Sequence, residues 1–153
     1  NAWTTLGLDE ANIHRIQAEW QNLDIEEACN HTIEALQIMK NALETKGKAL
    51  YFHCTHGEDR TGLLAGLFRH LHDGWTLKKS FSDEMCGHGY EAGNPSKPDF
   101  VVRSIRAGLT PLMLKLARLK EEGKISWQNL DSRVCRGIQD VEPIDAPNNW
   151  RCK

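Results

Sequence analysis

Long hydrophobic runs are missing from this sequence. No apolar stretch approaches the ~20 residues that a membrane-crossing helix needs, so no helical span is expected within it. A dominant charge is missing too. The 19 Lys and Arg against 21 Asp and Glu leave a formal net charge of −2, which gives no global pull toward nucleic acid or an anionic membrane. There are no internal repeats and no low-complexity tract, so solenoids and disordered linkers drop out. No lysine follows a GxxxxG pattern, which removes the nucleotide P-loop. His53, Cys54, His56, His70, His72, Cys86 and His88 carry ligand chemistry, but no two pairs of them have zinc-finger spacing. No metal or cofactor is therefore expected. No signal peptide is visible. The chain begins at Asn1 rather than methionine, so an upstream piece is expected to have been removed or left out, and a signal peptide could have lain on it.

What is present fits one globular domain over residues 1–153, with a core over 9–137 and a polar, irregular tail over 138–153. The 40% hydrophobic and 26% charged residues are ordinary for such a domain. One segment stands apart. Residues 53–62 read HCTHGEDRTG. The short apolar run at 49–52 before it suits a buried strand. After it, Leu63, Leu64, Leu67, Phe68 and Leu71 follow the helical period, and Gly74 is placed to end that helix.

A loop between a strand end and a helix start can turn successive backbone N–H groups inward as an anion nest. The helix start adds a positive dipole end. In that field Cys54 should ionise below the free-thiol pKa of about 8.5 and act as a nucleophile toward phosphorus. Arg60 offers a planar fork for two phosphate oxygens. Gly57 allows a backbone angle that a Cβ would resist. Thr61 can donate its hydroxyl proton to the sulfur, and His53 braces the loop through the backbone.

On His53, Cys54, Gly57, Arg60 and Thr61 the chain resembles the cysteine-dependent phosphatases of the protein tyrosine phosphatase and dual-specificity superfamily, whose signature is HC-x5-R-[ST]. Asp59 before the arginine is similar to the pattern of bacterial lipid-and-protein or inositol-phosphate phosphatases. The resemblance spans roughly residues 24–90. It implies an α/β domain, rich in helices around a small central sheet, with the phosphate loop at a strand's carboxyl end. Such relatives place several strands before the cysteine. Only one is visible here, so the first strands are either missing or the sheet is small. The resemblance further implies metal-independent hydrolysis of a phosphomonoester through a phosphocysteine. Thr55, His56, Gly57, Glu58 and Arg60 would line the bound phosphate. The substrate class stays open between phosphotyrosine or phosphoprotein and inositol phosphates, the phytase-like case included. A phosphate-binding module that recognises phosphorylated partners is the alternative, and sulfur-transfer or arsenate-reducing thiol chemistry a more distant one.

The proton donor is not settled by sequence. Asp24 lies upstream at a distance the family's general acid often has, yet Asp24, Ile25, Glu26 and Glu27 also form a helix-capping pattern. Asp59 is its rival, either as acid or as the residue that orients water; Asp9 and Asp83 are weaker candidates. Glu58 and Asp59 oppose the binding of a polyanion, whereas His56 favours it when protonated. Lys78 and Lys79, or Lys97 and Arg103, could form a basic rim.

The remaining elements are read from periodicity. Helices are expected over 9–22, 25–45, 62–73, 75–86, 100–107 and 126–137, and from a Thr110–Pro111 start to Glu122, with a loop over 87–98. Of the five cysteines, Cys29 reads as buried packing, Cys86 as a plain helix-end residue with a resolving thiol as the lesser alternative, and Cys135 with Cys152 as a disulfide if the protein is exported. The need to keep Cys54 reduced leans the location toward the cytoplasm, with export left open. Oligomeric state is not legible.

Overall fold

The structure, a computed structural model, describes residues 2–153. It is built from helices. A one-turn helix α1 (Ala2–Thr5) opens the chain, and a single 3₁₀ turn follows at Glu10–Asn12. Then come α2 (Ile25–Glu44), α3 (Asp59–Leu71) and α4 (Leu77–Lys79). α4 continues into a π-helical stretch, Ser80–Met85. Two longer helices, α5 (Asp99–Ala107) and α6 (Leu109–Glu121), precede a series of 3₁₀ turns.

Local chemistry explains the best-formed elements. Asp24 caps α2 by accepting the Glu27 N–H at 3.1 Å, which satisfies one orphan donor of the first turn. Ala28, Cys29, Ile33, Leu36 and Met39 then bury one stripe of that helix. α6 is buried nearly all round. Leu112, Met113, Leu114, Leu116, Ala117 and Leu119 are all sequestered, and α3, α5 and α2 pack on it. α3 lies closest to the π-helical stretch. Gly66 permits this approach, because a Cβ there would run into the Met85 sulfur.

The central sheet expected from the resemblance is not formed. Among the described residues the single β feature is an isolated bridge between Ser126 and Asn129. Residues 48–54 are extended, yet no neighbouring strand pairs with them. A strand needs a partner for its N–H and C=O groups, and nothing upstream supplies one. The expected helix over 9–22 shrinks to one turn capped by Asp9. Residues 13–20 form no regular element and make a tight turn from the Ala18 N–H to the Ile16 carbonyl, with Ile16, Ala18 and Trp20 half-buried in alternation. That is a period of two, which spacing from Ile13 had masked.

Three further expectations change. Residues 126–137 form a turn and a 3₁₀ segment (Ser132–Cys135), not a helix. α6 starts at Leu109 with Gly108 as its cap; Thr110 is buried and bonds the Tyr90 hydroxyl at 2.9 Å. The tail is not a loose polar appendage. Ile138, Trp150 and Cys152 join the core, and Lys115 of α6 donates to the Ile138 and Gln139 carbonyls at 3.1 and 2.8 Å.

The cysteines pair differently from expectation. Cys29 bonds Cys135, fastening α2 to the 3₁₀ segment, and Cys86 bonds Cys152, fastening the end of the π-helical stretch to the tail. Only Cys54 is free. No helix among the described residues is long and apolar enough to cross a membrane.

Candidate active site

The loop between residue 53 and α3 is shorter than expected, because α3 begins at Asp59 and not at residue 62, so Asp59, Arg60 and Thr61 lie in its first turn. In the extended approach Tyr51 and His53 face solvent while Phe52 and Cys54 turn inward, the alternation of a strand without its ladder. The chain then bends through Thr55, His56 and Gly57. Gly57 has φ +71, a left-handed angle at which a side chain would be strained. Asp59 is the first residue of α3, so the unpaired N–H groups of the helix start face the loop.

Cys54 is half-buried. Burial pushes its thiol up, but the Thr61 hydroxyl and the backbone N–H groups of Thr61, His56 and Gly57 hold the thiolate and bring the pKa down from 9.0 to about 7. Thr61 Oγ1 is buried and finds no partner of ordinary hydrogen-bond geometry. The Thr61 hydroxyl is the foremost of the groups that draw the Cys54 pKa down. The same amides that hold the thiolate are the ones a phosphate oxygen would meet.

Arg60 spans the loop. Its Nη2 donates to Thr55 Oγ1 at 3.1 Å and its Nη1 to the Ala18 carbonyl at 3.1 Å. The 13–20 segment thus orients the arginine, a role for which Ala18 carries no sequence signal. His53 Nδ1 lies 3.0 Å from the Cys54 carbonyl, which accepts from it. Its ring sits with Tyr51 and Trp3, centroids 5.5 and 6.1 Å away, on the side opposite the thiol. Thr55, His56 and Gly57 are exposed along the loop.

The candidate acids do not converge on the sulfur. Asp24 spends one oxygen on the α2 cap, Asp9 on the Ala11 N–H at 3.1 Å, and Asp83 accepts from the Ser82 hydroxyl at 2.7 Å. Asp59 accepts from the Glu91 N–H at 2.8 Å and from Lys97 Nζ at 2.7 and 2.8 Å. Glu58 accepts from Asn94 Nδ2 at 2.9 Å and pairs with Lys97 at 3.0 Å. Both acidic loop residues are therefore turned toward the 87–98 segment. Lys97, weighed from sequence as part of a basic rim, is instead buried behind the loop. Glu91, Asn94 and Arg106 were not singled out at all, because each acts through a partner far away in sequence.

With this geometry in view, residues 4–73 match the family model of the tyrosine phosphatase family. That span is tyrosine-phosphatase-like. The match contains the whole loop and supports a phosphatase function; it ends before the 87–98 segment, and before residue 90, where the resemblance read from motifs ended. No curated protein and no solved structure matches the chain.

Proposed function

We propose that this tyrosine-phosphatase-like chain hydrolyses phosphate monoesters in two steps through Cys54. The thiolate attacks phosphorus, the P–O bond to the leaving alcohol or phenol breaks, and a proton is delivered to the departing oxygen. Water then attacks the phosphocysteine, the S–P bond breaks, and the sulfur leaves as thiolate under the Thr61 hydroxyl. Arg60 and the amides of residues 56, 57 and 61 hold the equatorial oxygens as charge develops. The observation that carries this reading is a free, half-buried Cys54 one short turn before a helix start, with Gly57 in the left-handed region between them and Arg60 bonded back across the same loop to Thr55; its thiol pKa is drawn down to about 7.

Asp24 is the proposed acid, because Asp59 is already engaged by Lys97 and the Glu91 amide. Phosphotyrosine and phosphoprotein substrates fit the family match; inositol phosphates remain the competing class. A panel of phosphopeptides, phosphoinositides and inositol polyphosphates ranks them by kcat/KM. The basic test is phosphate release from an aryl phosphate in excess chelator. Release should persist there, disappear in Cys54→Ser, and fall in rate below about pH 7 as the thiolate is protonated. A requirement for added zinc, or turnover by Cys54→Ser, defeats the proposal.

One observation favours the second reading, a module that binds phosphorylated partners without turnover. Each candidate acid is committed to a cap, a hydroxyl or a lysine. Affinity for a phosphopeptide without phosphate release would establish that reading instead.

A further inference from the structure

Glu58 and Asp59 put two negative charges beside a cradle meant for an anion. Both belong to the start of α3, the helix end whose dipole and N–H groups the phosphate would use. Uncompensated, each would repel a phosphate dianion through a partly buried medium. The structure brings one cation to both. Lys97 Nζ stands 3.0 Å from Glu58 Oε2 and 2.7 Å from Asp59 Oδ1, and donates to the Gly89 carbonyl at 2.7 Å. Its side chain is 6% exposed.

The surroundings hold this arrangement in place. Asn94 donates to the other Glu58 oxygen at 2.9 Å, and the Glu91 N–H to Asp59 Oδ1 at 2.8 Å. Glu91 itself is fully buried and has φ +52. Its carboxylate accepts from Arg106 Nη2 at 2.6 Å and from the Cys152 N–H at 3.3 Å, next to the Cys86–Cys152 disulfide. Stability alone is a weak reason to build such a cluster, since a buried ion pair often contributes no more than apolar residues of equal volume. Charge balance at the oxyanion site is a stronger one.

Resting on the phosphate-binding reading above, we infer that Lys97 is a positioning residue and counter-charge of the phosphate loop, offsetting one of the two negative charges of Glu58 and Asp59 and drawing both carboxylates to itself, so that the adjoining cradle accepts a phosphate dianion. Lys97 touches neither the sulfur nor the arginine; it acts through the two carboxylates. It also places the backbone that leads directly into Arg60.

The test uses orthovanadate inhibition together with KM and kcat for an aryl phosphate. Lys97→Met should weaken vanadate binding at least about tenfold and raise KM more than it lowers kcat. The triple variant E58Q/D59N/K97M keeps the side-chain shapes and the acceptor oxygens but removes the charges. It should return vanadate binding to the wild-type level or tighter, which a purely structural lysine would not allow. E58Q/D59N with Lys97 intact should bind vanadate tighter than the triple variant. That pair carries the comparison even where Lys97→Met alone fails to fold. Lys124→Met, at an exposed lysine, is the control and should match wild type. Equal vanadate binding by Lys97→Met and wild type, or by the E58Q/D59N pair with and without Lys97, overturns the inference and leaves the phosphatase reading standing. A wild-type protein that binds no oxyanion overturns both.

Discussion

The two limbs of the phosphate loop are held in different ways. The cysteine limb arrives along residues 48–54, extended and without a paired strand. Its side chains divide: Tyr51 stays in solvent at 75% exposure, while Leu50 and Phe52 lie half-buried against the edge of the core. The arginine limb departs into α3, which packs on the π-helical stretch and on α6. Behind it stand Lys97, Asn94 and Glu91, and behind them a disulfide. Cys54 is thus carried on a segment without regular structure that only edges the core, whereas Arg60 is carried on a helix that is part of it. A reactive thiol needs only a local field. A bidentate guanidinium needs its position fixed to be useful.

That contrast can be broken or sharpened by experiment. The largest expected effect is on the core side. Cys29→Ser with Cys135→Ser opens a closure between residues 106 positions apart and should cost about 2–5 kcal/mol in chemical denaturation. The pH profile of Cys54 alkylation in the folded protein should not move; a shift would show that the cysteine limb leans on the core after all. Gly66→Val pushes a side chain into Met85 and should cost about 1–3 kcal/mol, limited by the flexibility of the methionine. Thr61→Val should barely affect melting but should act on the thiol. The Thr61 hydroxyl lowers the Cys54 pKa, so its loss raises it. Alkylation at pH 7 should slow and its profile shift to higher pH. An unchanged profile would remove Thr61 from the site. The smallest effect belongs to Tyr51→Ser, at a solvent-facing position, where stability should change by no more than about 0.5 kcal/mol.

Much of the loop was legible because its signals are local. Gly57 marks a left-handed turn, Asp24 a cap, and Gly74 the end of α3, with φ +72 just beyond it. Each acts within a few residues of itself, so spacing reveals it. The helical stripes of α2 and α6 were legible for the same reason, although α6 buries more than the face given by Leu112, Leu116 and Leu119. The sheet was inferred from family resemblance and from one apolar run, and a run of residues cannot report whether a neighbour exists to pair with it. The stretch at 13–20 was misread because Ile13, Ile16 and Trp20 satisfy a helical spacing while Ile16, Ala18 and Trp20 satisfy an extended one.

The chain order of residues alone placed a thiol, an arginine and a helix start within one short stretch, since those groups meet by following the backbone. Only the tertiary structure decided which cysteines join, that the tail closes over α6, that no sheet forms among the described residues, and that Lys97 answers the two acids of the loop. These pairings connect positions tens of residues apart. Their partners are chosen by burial and charge in three dimensions, and no periodicity along the chain records that choice.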